Sequence, residues 1–173
     1  LYNKNLPEPF KNTDVSHLPI LVDTREQDPL EFSKSKVEKI FVGDYLIADK
    51  KYFTNTFVDR KSESDFLGTM ASGIERFERE IEKAANLGLY LVVVCDESHR
   101  SCMEYSPSNS YAKKVTGTHL MHSIRHLGQK YDNIQFVFCV NRIASRELIN
   151  TIFRLGEKAK TLDIEFLKDS RKI

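Results

Sequence analysis

Residues 57–66 read FVDRKSESDF, an apolar Phe57-Val58 step that runs straight into Asp59, Arg60, Lys61, Glu63 and Asp65. Side chains alternate along a strand, so Asp59 and Lys61 share one face while Arg60 takes the other. Upstream, Asp44 follows Gly43. If the chain turns back near residues 51–54, a hairpin lays Asp44 beside the Asp59/Lys61 pair. Carboxylates brought together repel unless something positive lies between them. A divalent cation meets that need: Mg²⁺ accepts one or two carboxylates, keeps several waters and draws its other ligands from phosphate. Such an ion lowers the pKa of a bound water and neutralises phosphoryl charge. An adjacent ammonium steadies the attacking water and the pentacovalent phosphate. With Asp44 and Asp59 on the metal and Lys61 at the water, the set suits hydrolysis of a phosphodiester. A lone D-x-K more often marks a solvated ion pair of little energetic weight. Here it has company. Asp23 ends an apolar run and Asp44 stands at a strand entry. Asp65, four residues past Lys61, is placed to cap a helix or to brace the site from behind.

The elements that must position these residues are legible as patterns. LPILVD (18–23) reads as a buried strand, TREQDP (24–29) as a loop and KIFV (39–42) as a second strand. Gly43-Asp44 leads into YLIA (45–48), and TFVD (56–59) returns as the hairpin partner. From Ser64 to Asn86 the period is helical, broken by Gly68 and Gly73 into a short and a long piece, and Gly88 ends it. LYLVVVC (89–95) is apolar without alternation, as suits a central strand covered on both faces. SCMEYSPSNS (101–110) reads as a loop. A helix over 113–129, a strand over 134–140 and a helix over 142–160 complete the chain. Strands separated by helices predict an α/β fold with a central mixed sheet and helices on both sides. The polar segment 1–17, with two prolines, reads as a flexible arm, and 18–173 as a single domain.

The 173 residues suit one domain with an ordinary core, being 40% hydrophobic and 29% charged. The formal net charge is +1, so any attraction for nucleic acid must be local or come from another domain. No run of about eighteen apolar residues is present, so no membrane span is expected, and no signal peptide is visible. Cys95, Cys102 and Cys139 form no paired framework and point to a reducing, intracellular setting.

VDTRE (22–26), GDY (43–45) and VDRKSESD (58–65) resemble the nuclease domain of the XPF/Mus81 family, the ERCC4-type branch of the PD-(D/E)xK nucleases. Asp59 stands where the family usually has Glu, and Arg76, after Gly73, resembles a family arginine that follows a glycine in the same element. The match covers roughly residues 20–96. The resemblance implies a restriction-endonuclease-like α/β/α sandwich and Mg²⁺- or Mn²⁺-dependent, structure-selective cleavage of branched, flap or junction DNA. It implies that Asp44 and Asp59 hold the metal, with the Arg60 carbonyl as a further ligand, that Asp23 and Glu26 complete the acidic pocket, and that Lys61 serves the water. Arg25 and Arg76 would reach DNA phosphate, with Arg60 and Asp65 at the DNA or bracing the site. Family members pair as homo- or heterodimers and carry a tandem helix-hairpin-helix module. No such module is visible after residue 128, so a separate DNA-binding module or partner protein is expected. The expected compartment is the nucleus for a eukaryotic source and the cytoplasm for a bacterial or phage one. A non-catalytic DNA-binding or scaffold subunit is the alternative, and the intact acids and lysine favour the enzyme.

Other features have blander readings beside their sharper ones. Cys95, His99 and Cys102 are loosely spaced like zinc ligands but lack a fourth. His119, His122 and His126 share a helical face, a polar or interface face before it is a metal site. Lys113, Lys114 and Arg125 form a solvated face or a basic edge. Ile143, Leu148, Ile149, Ile152, Phe153 and Leu155 should be mostly core, with part of the stripe open to a subunit interface, which concentration-dependent sedimentation decides.

Overall fold

Three consecutive valines form the middle of the segment YLVVVC, and no charged residue interrupts it; all six residues are buried. Such a strand needs cover on both faces, and the architecture supplies it. The computed structural model describes residues 8–9, 14–50, 52–106 and 115–173. The strands are β1 (Glu8–Pro9), β2 (Ile20–Val22), β3 (Ser35–Val37), β4 (Tyr45–Ile47), β5 (Tyr52–Phe53), β6 (Thr56–Lys61), β7 (Tyr90–Cys95) and β8 (Ile134–Phe138). The helices are α1 (Glu63–Ala71), α2 (Ile74–Asn86), α3 (His99–Glu104), α4 (Gly117–Lys130), α5 (Arg142–Leu155) and α6 (Ile164–Asp169), with a 3₁₀ segment over Gly156–Thr161.

Six strands form one mixed sheet in the order β3-β2-β4-β6-β7-β8. β4 runs antiparallel to β2 and β6, and the pairs β2–β3, β6–β7 and β7–β8 are parallel. One core cluster joins Leu21, Leu46, Phe57, Leu91 and Val93 to Phe66 of α1, Phe77 and Ile81 of α2, Cys102 of α3 and Leu120 of α4. The other joins Val22, Tyr45, Val58, Val92 and Val94 to Leu148, Ile149, Ile152 and Phe153 of α5 and Ile164 of α6. Alternation along each strand separates the two sets. The result is the expected α/β/α sandwich, with α1–α4 on one face and α5–α6 on the other.

Several elements depart from the expectation. KIFV (39–42) is irregular; the second strand is Ser35–Val37, at the sheet edge, while Ile40 and Val42 are buried from a loop. Their apolarity serves packing without a ladder. Residues 101–104 continue a helix, α3, capped by Ser98, whose hydroxyl accepts from the Ser101 amide. The helix expected over 142–160 stops at Leu155, because Gly156 adopts φ +55° and the chain tightens into the 3₁₀ segment. A further helix, α6, follows. The expected N-terminal arm is partly docked: Glu8–Pro9 pairs with Tyr52–Phe53 and Val15 is buried. In α5, Leu148, Ile149, Ile152 and Phe153 are core and Ile143 is exposed. No helix among the described residues is long and apolar enough to cross a membrane.

Candidate active site

Three strands deliver the acids. Val22 pairs with Tyr45 and Tyr45 with Val58. One step along that register, Asp23, Asp44 and Asp59 fall in a row on the α1–α2 side of the sheet. The crossing is tight: the Asp44 amide donates to Val58 O at 2.8 Å, and the Asp23 amide to Asp44 O at 2.8 Å. Gly43 makes it possible, since its φ is +67° and a Cβ there would lie 2.6 Å from Val58 O.

The Asp44 carboxylate accepts the Arg60 amide at 2.8 Å. Burial first, and the Asp59 carboxylate second, push its pKa well above the usual carboxylate range. Lys61 Nζ lies 2.9 Å from Asp59 Oδ2, as the i, i+2 spacing requires. The ammonium is off the hydrogen-bonding direction, so Asp59 Oδ2 is buried without a hydrogen bond. Lys61 also sits 4.9 Å from the centre of the Phe77 ring, a cation–π contact. Burial works against its charge, but Asp59 and then Asp44 outweigh that and hold its pKa above the ordinary lysine value. A 240 Å³ cavity collects Asp44, Asp59 and Lys61 together with Arg25, Phe41, Arg76, Glu80 and Lys83. A neighbouring 410 Å³ cavity between α1 and α2 shares Lys61, Arg76 and Glu80, and adds Phe77 and Asp65.

The remaining expected residues take other places. Asp23 is 1% exposed, and both its oxygens are taken. Oδ2 accepts the Ile40 amide at 2.8 Å; Oδ1 accepts the Arg25 amide at 2.8 Å and Arg25 Nε at 2.5 Å. Burial opposes its charge, yet Arg25 and the two amides keep its pKa below the usual range. Asp23 therefore ties down the irregular 39–42 segment and aims Arg25, whose side chain is 60% exposed at the cavity. Arg60 points to the opposite face and is 7% exposed. It donates to Asp96 Oδ2 at 2.8 and 2.6 Å and to Asp28 O at 2.9 Å, and lies 4.0 Å from Glu26. These partners hold its side chain on the face of β6 away from Asp59 and Lys61. Glu26 is on that side as well, accepting the Asp28 amide. Asp65 accepts the Ser62 hydroxyl at 2.7 Å and donates its amide back at 3.2 Å, a cap for α1 beside the larger cavity.

The four acids Asp23, Glu26, Asp44 and Asp59 are thus not brought to one point. Among the described residues no group of three or more His, Cys, Asp or Glu side chains is placed to hold a metal. Cys95, His99 and Cys102 form no such group: the cysteines are buried thiols and His99 packs edge-on to Phe138. Nor do His119, His122 and His126; His119 Nε2 lies 3.3 Å from Met70 O and His126 faces Glu78. Lys113 and Lys114 lie outside the described residues, and Arg125 is exposed.

The pair Asp44–Asp59 does fit a divalent cation. The two carboxylates stand on adjacent strands; Asp59 has a buried oxygen with no hydrogen bond and only the Lys61 ammonium beside it, and Asp44 is pushed toward its neutral form by burial and by Asp59. Two carboxylates are also what Mg²⁺ takes from a protein, leaving room for water and phosphate. Sequence reasoning missed Glu80 and Lys83. Their signal is spacing, since with Arg76 they stand at i, i+4 and i+7 on α2.

A mixed sheet between helical layers, with paired acids and a lysine at a cavity, is the build of a nuclease-type domain. The chain belongs to the ERCC4 domain family, which matches residues 22–152. Among solved structures it is similar to XPF from Aeropyrum pernix, with 18% identity and a TM-score of 0.58, over 89% of this chain and 69% of that one. XPF from the same organism in complex with DNA matches with 18% identity and a TM-score of 0.58, over 80% of this chain and 64% of that one. At such identity the likeness speaks for the fold. None of the curated proteins compared with the chain matches it.

Proposed function

We propose that the chain is a divalent-metal-dependent DNA endonuclease that hydrolyses phosphodiesters in branched, flap or junction DNA. The observation that carries this reading is the Asp44–Asp59–Lys61 set on the wall of one cavity, with Arg25, Arg76 and Lys83 around it. DNA as the substrate class is supported by family membership and by the DNA complex of the A. pernix relative.

Asp44 and Asp59 would hold Mg²⁺ or Mn²⁺, which supplies an activated water and neutralises charge on the phosphoryl oxygen. The chain's own groups do the rest. Arg25, Arg76 and Lys83 draw DNA phosphate to the mouth of the cavity. The Lys61 ammonium, partly desolvated between Asp59 and Phe77, donates hydrogen bonds to the water and to the pentacovalent phosphate. The Arg60 amide fixes the Asp44 carboxylate, and the Arg60 side chain ties β6 to Asp96, just past the end of β7. Water forms a new P–O bond and gives up a proton to solvent, one ester P–O bond breaks, and the departing oxygen takes up a proton from solvent.

The test incubates the protein with labelled flap, fork and four-way-junction DNA in Mg²⁺ or Mn²⁺. Asp44→Ala and Lys61→Ala should each cut at least about a hundredfold more slowly than wild type, and EDTA should abolish cutting. Cleavage that survives both substitutions belongs to another protein. A wild type that binds these DNAs and never cuts them is the non-catalytic binding or scaffold subunit instead.

A further inference from the structure

Helix α2 turns Phe77, Ile81 and Ala84 into the core. The adjoining stripe, Arg76, Glu80 and Lys83, therefore lies along the wall of the 240 Å³ cavity that holds Asp44 and Asp59. Most charged neighbours in that cavity have a structural bond. Arg25 is held by Asp23, Lys83 donates to Phe41 O at 3.0 Å, and Lys61 is paired with Asp59. Glu80 makes no hydrogen bond or salt bridge with any described residue, although its charge reaches Lys61 and Arg25. Glu80 is thus a half-buried carboxylate on a regular helix that lines the same cavity as Asp44 and Asp59, with no short-range partner among the described residues to hold it.

Direct coordination by all three acids is not what the geometry offers, because no three acidic side chains among the described residues converge on one point. The cavity is instead roomy: at about 30 Å³ per water, 240 Å³ accommodates an ion with part of its hydration shell. Mg²⁺ gives up its waters reluctantly and is often read by the protein through them. We infer that Glu80 is the third acid of the cation site, accepting a hydrogen bond from a water in the hydration shell of the ion that Asp44 and Asp59 would hold. It is a positioning residue. The inference rests on the Asp44–Asp59 pair being the cation site.

The test is a calorimetric titration of the full chain with Mn²⁺ alone, with no DNA, for wild type, Glu80→Gln, Asp44→Asn and Glu75→Gln. Glu75 lies in the first turn of the same helix and does not line the cavity. Glu80→Gln should bind Mn²⁺ about tenfold more weakly than wild type with an unchanged thermal midpoint, and Glu75→Gln should match wild type. Cleavage by Glu80→Gln should recover at high Mn²⁺, with the metal requirement raised and the maximal rate kept. Wild-type Mn²⁺ affinity in Glu80→Gln, or an equal loss in Glu75→Gln, overturns the inference. Undiminished binding in Asp44→Asn overturns it too, because the ion is then elsewhere. If Glu80→Gln weakens Mn²⁺ as expected while the wild type cuts no DNA, the role of Glu80 stands and the nuclease reading falls.

Discussion

Two forces oppose a negative charge on Asp44 when no cation is present: burial, and then the Asp59 carboxylate. The folded protein consequently holds the Asp44 proton to a higher pH than the unfolded chain, whose aspartates titrate near about 3.9. The sign of the linkage follows. Below that pH the proton is bound in both states; as pH rises through the raised folded value, unfolding releases the proton more readily and stability is lost. In EDTA the urea midpoint should therefore fall from acid toward neutral pH, and Asp44→Asn should flatten that decline. A wild-type-minus-variant difference that does not change with pH would remove the argument. Asp23 acts with the opposite sign: its lowered pKa contributes stability above the unfolded value, lost as pH falls. The two acids separate what the sequence could and could not say. Asp44 beside Asp59 follows from alternation and one hairpin. Asp23 is an equally plausible pocket acid by position, but its partner, the Ile40 amide, lies 17 residues away in an irregular segment. No local pattern announces that bond.

At the scale of elements, two glycines that line the cavities, Gly43 and Gly68, have opposite jobs. Gly43 carries φ +67° and lets the chain pass over Val58 O, where a Cβ would be 2.6 Å away. An L-residue there meets a left-handed backbone worth about 1–2 kcal/mol and a backbone clash that only a shift of β4 or β6 can relieve. Gly43→Ala should destabilise by at least about 2 kcal/mol and weaken cleavage, because it moves Asp44 away from Asp59. Gly68 sits inside α1 with nothing within 4 Å of a Cβ. Gly68→Ala should stabilise by about 0.5–1 kcal/mol through helix propensity. Denaturant midpoints of both variants check the contrast, and a Gly43→Ala protein as stable as wild type would show that the crossing is not tight. The same elements show where periodicity runs out. α2 is legible because it has one apolar face at a clear period, and β7 because its apolar run is unbroken on both faces. Ile40 and Val42 looked like a strand because burial selects apolar residues whether or not a ladder forms. The stop at Leu155 hides in a single glycine within an otherwise helical pattern.

For the whole molecule, the order β6-β7-β8 advances in one direction with helical crossovers between parallel strands. Right-handed connections then place α1–α2 and α3–α4 on a single face, and α5 returns over the other. The alternation of strands and helices made the sandwich readable, whereas the small helix α6 had no distinguishing period. One consequence is that the cations around the cavity all approach from one side. Arg25 reaches in from the loop after β2, and Arg76 and Lys83 from α2. With a net charge of +1, the molecule has no broad positive field to attract DNA from a distance. Binding should rest on those cavity-side cations alone. Each phosphate contact adds about −0.9 to the slope of log K against log salt for duplex DNA, so these three residues predict a slope of about −3. Lys83→Ala should make it shallower by about 1. Fluorescence anisotropy of a labelled flap duplex, titrated in EDTA over a series of salt concentrations, measures both values. A much steeper slope that Lys83→Ala leaves untouched would mean that the DNA rides on a different surface, such as the exposed Arg125 side of α4, and that the acidic cavity is not where the phosphate backbone is held.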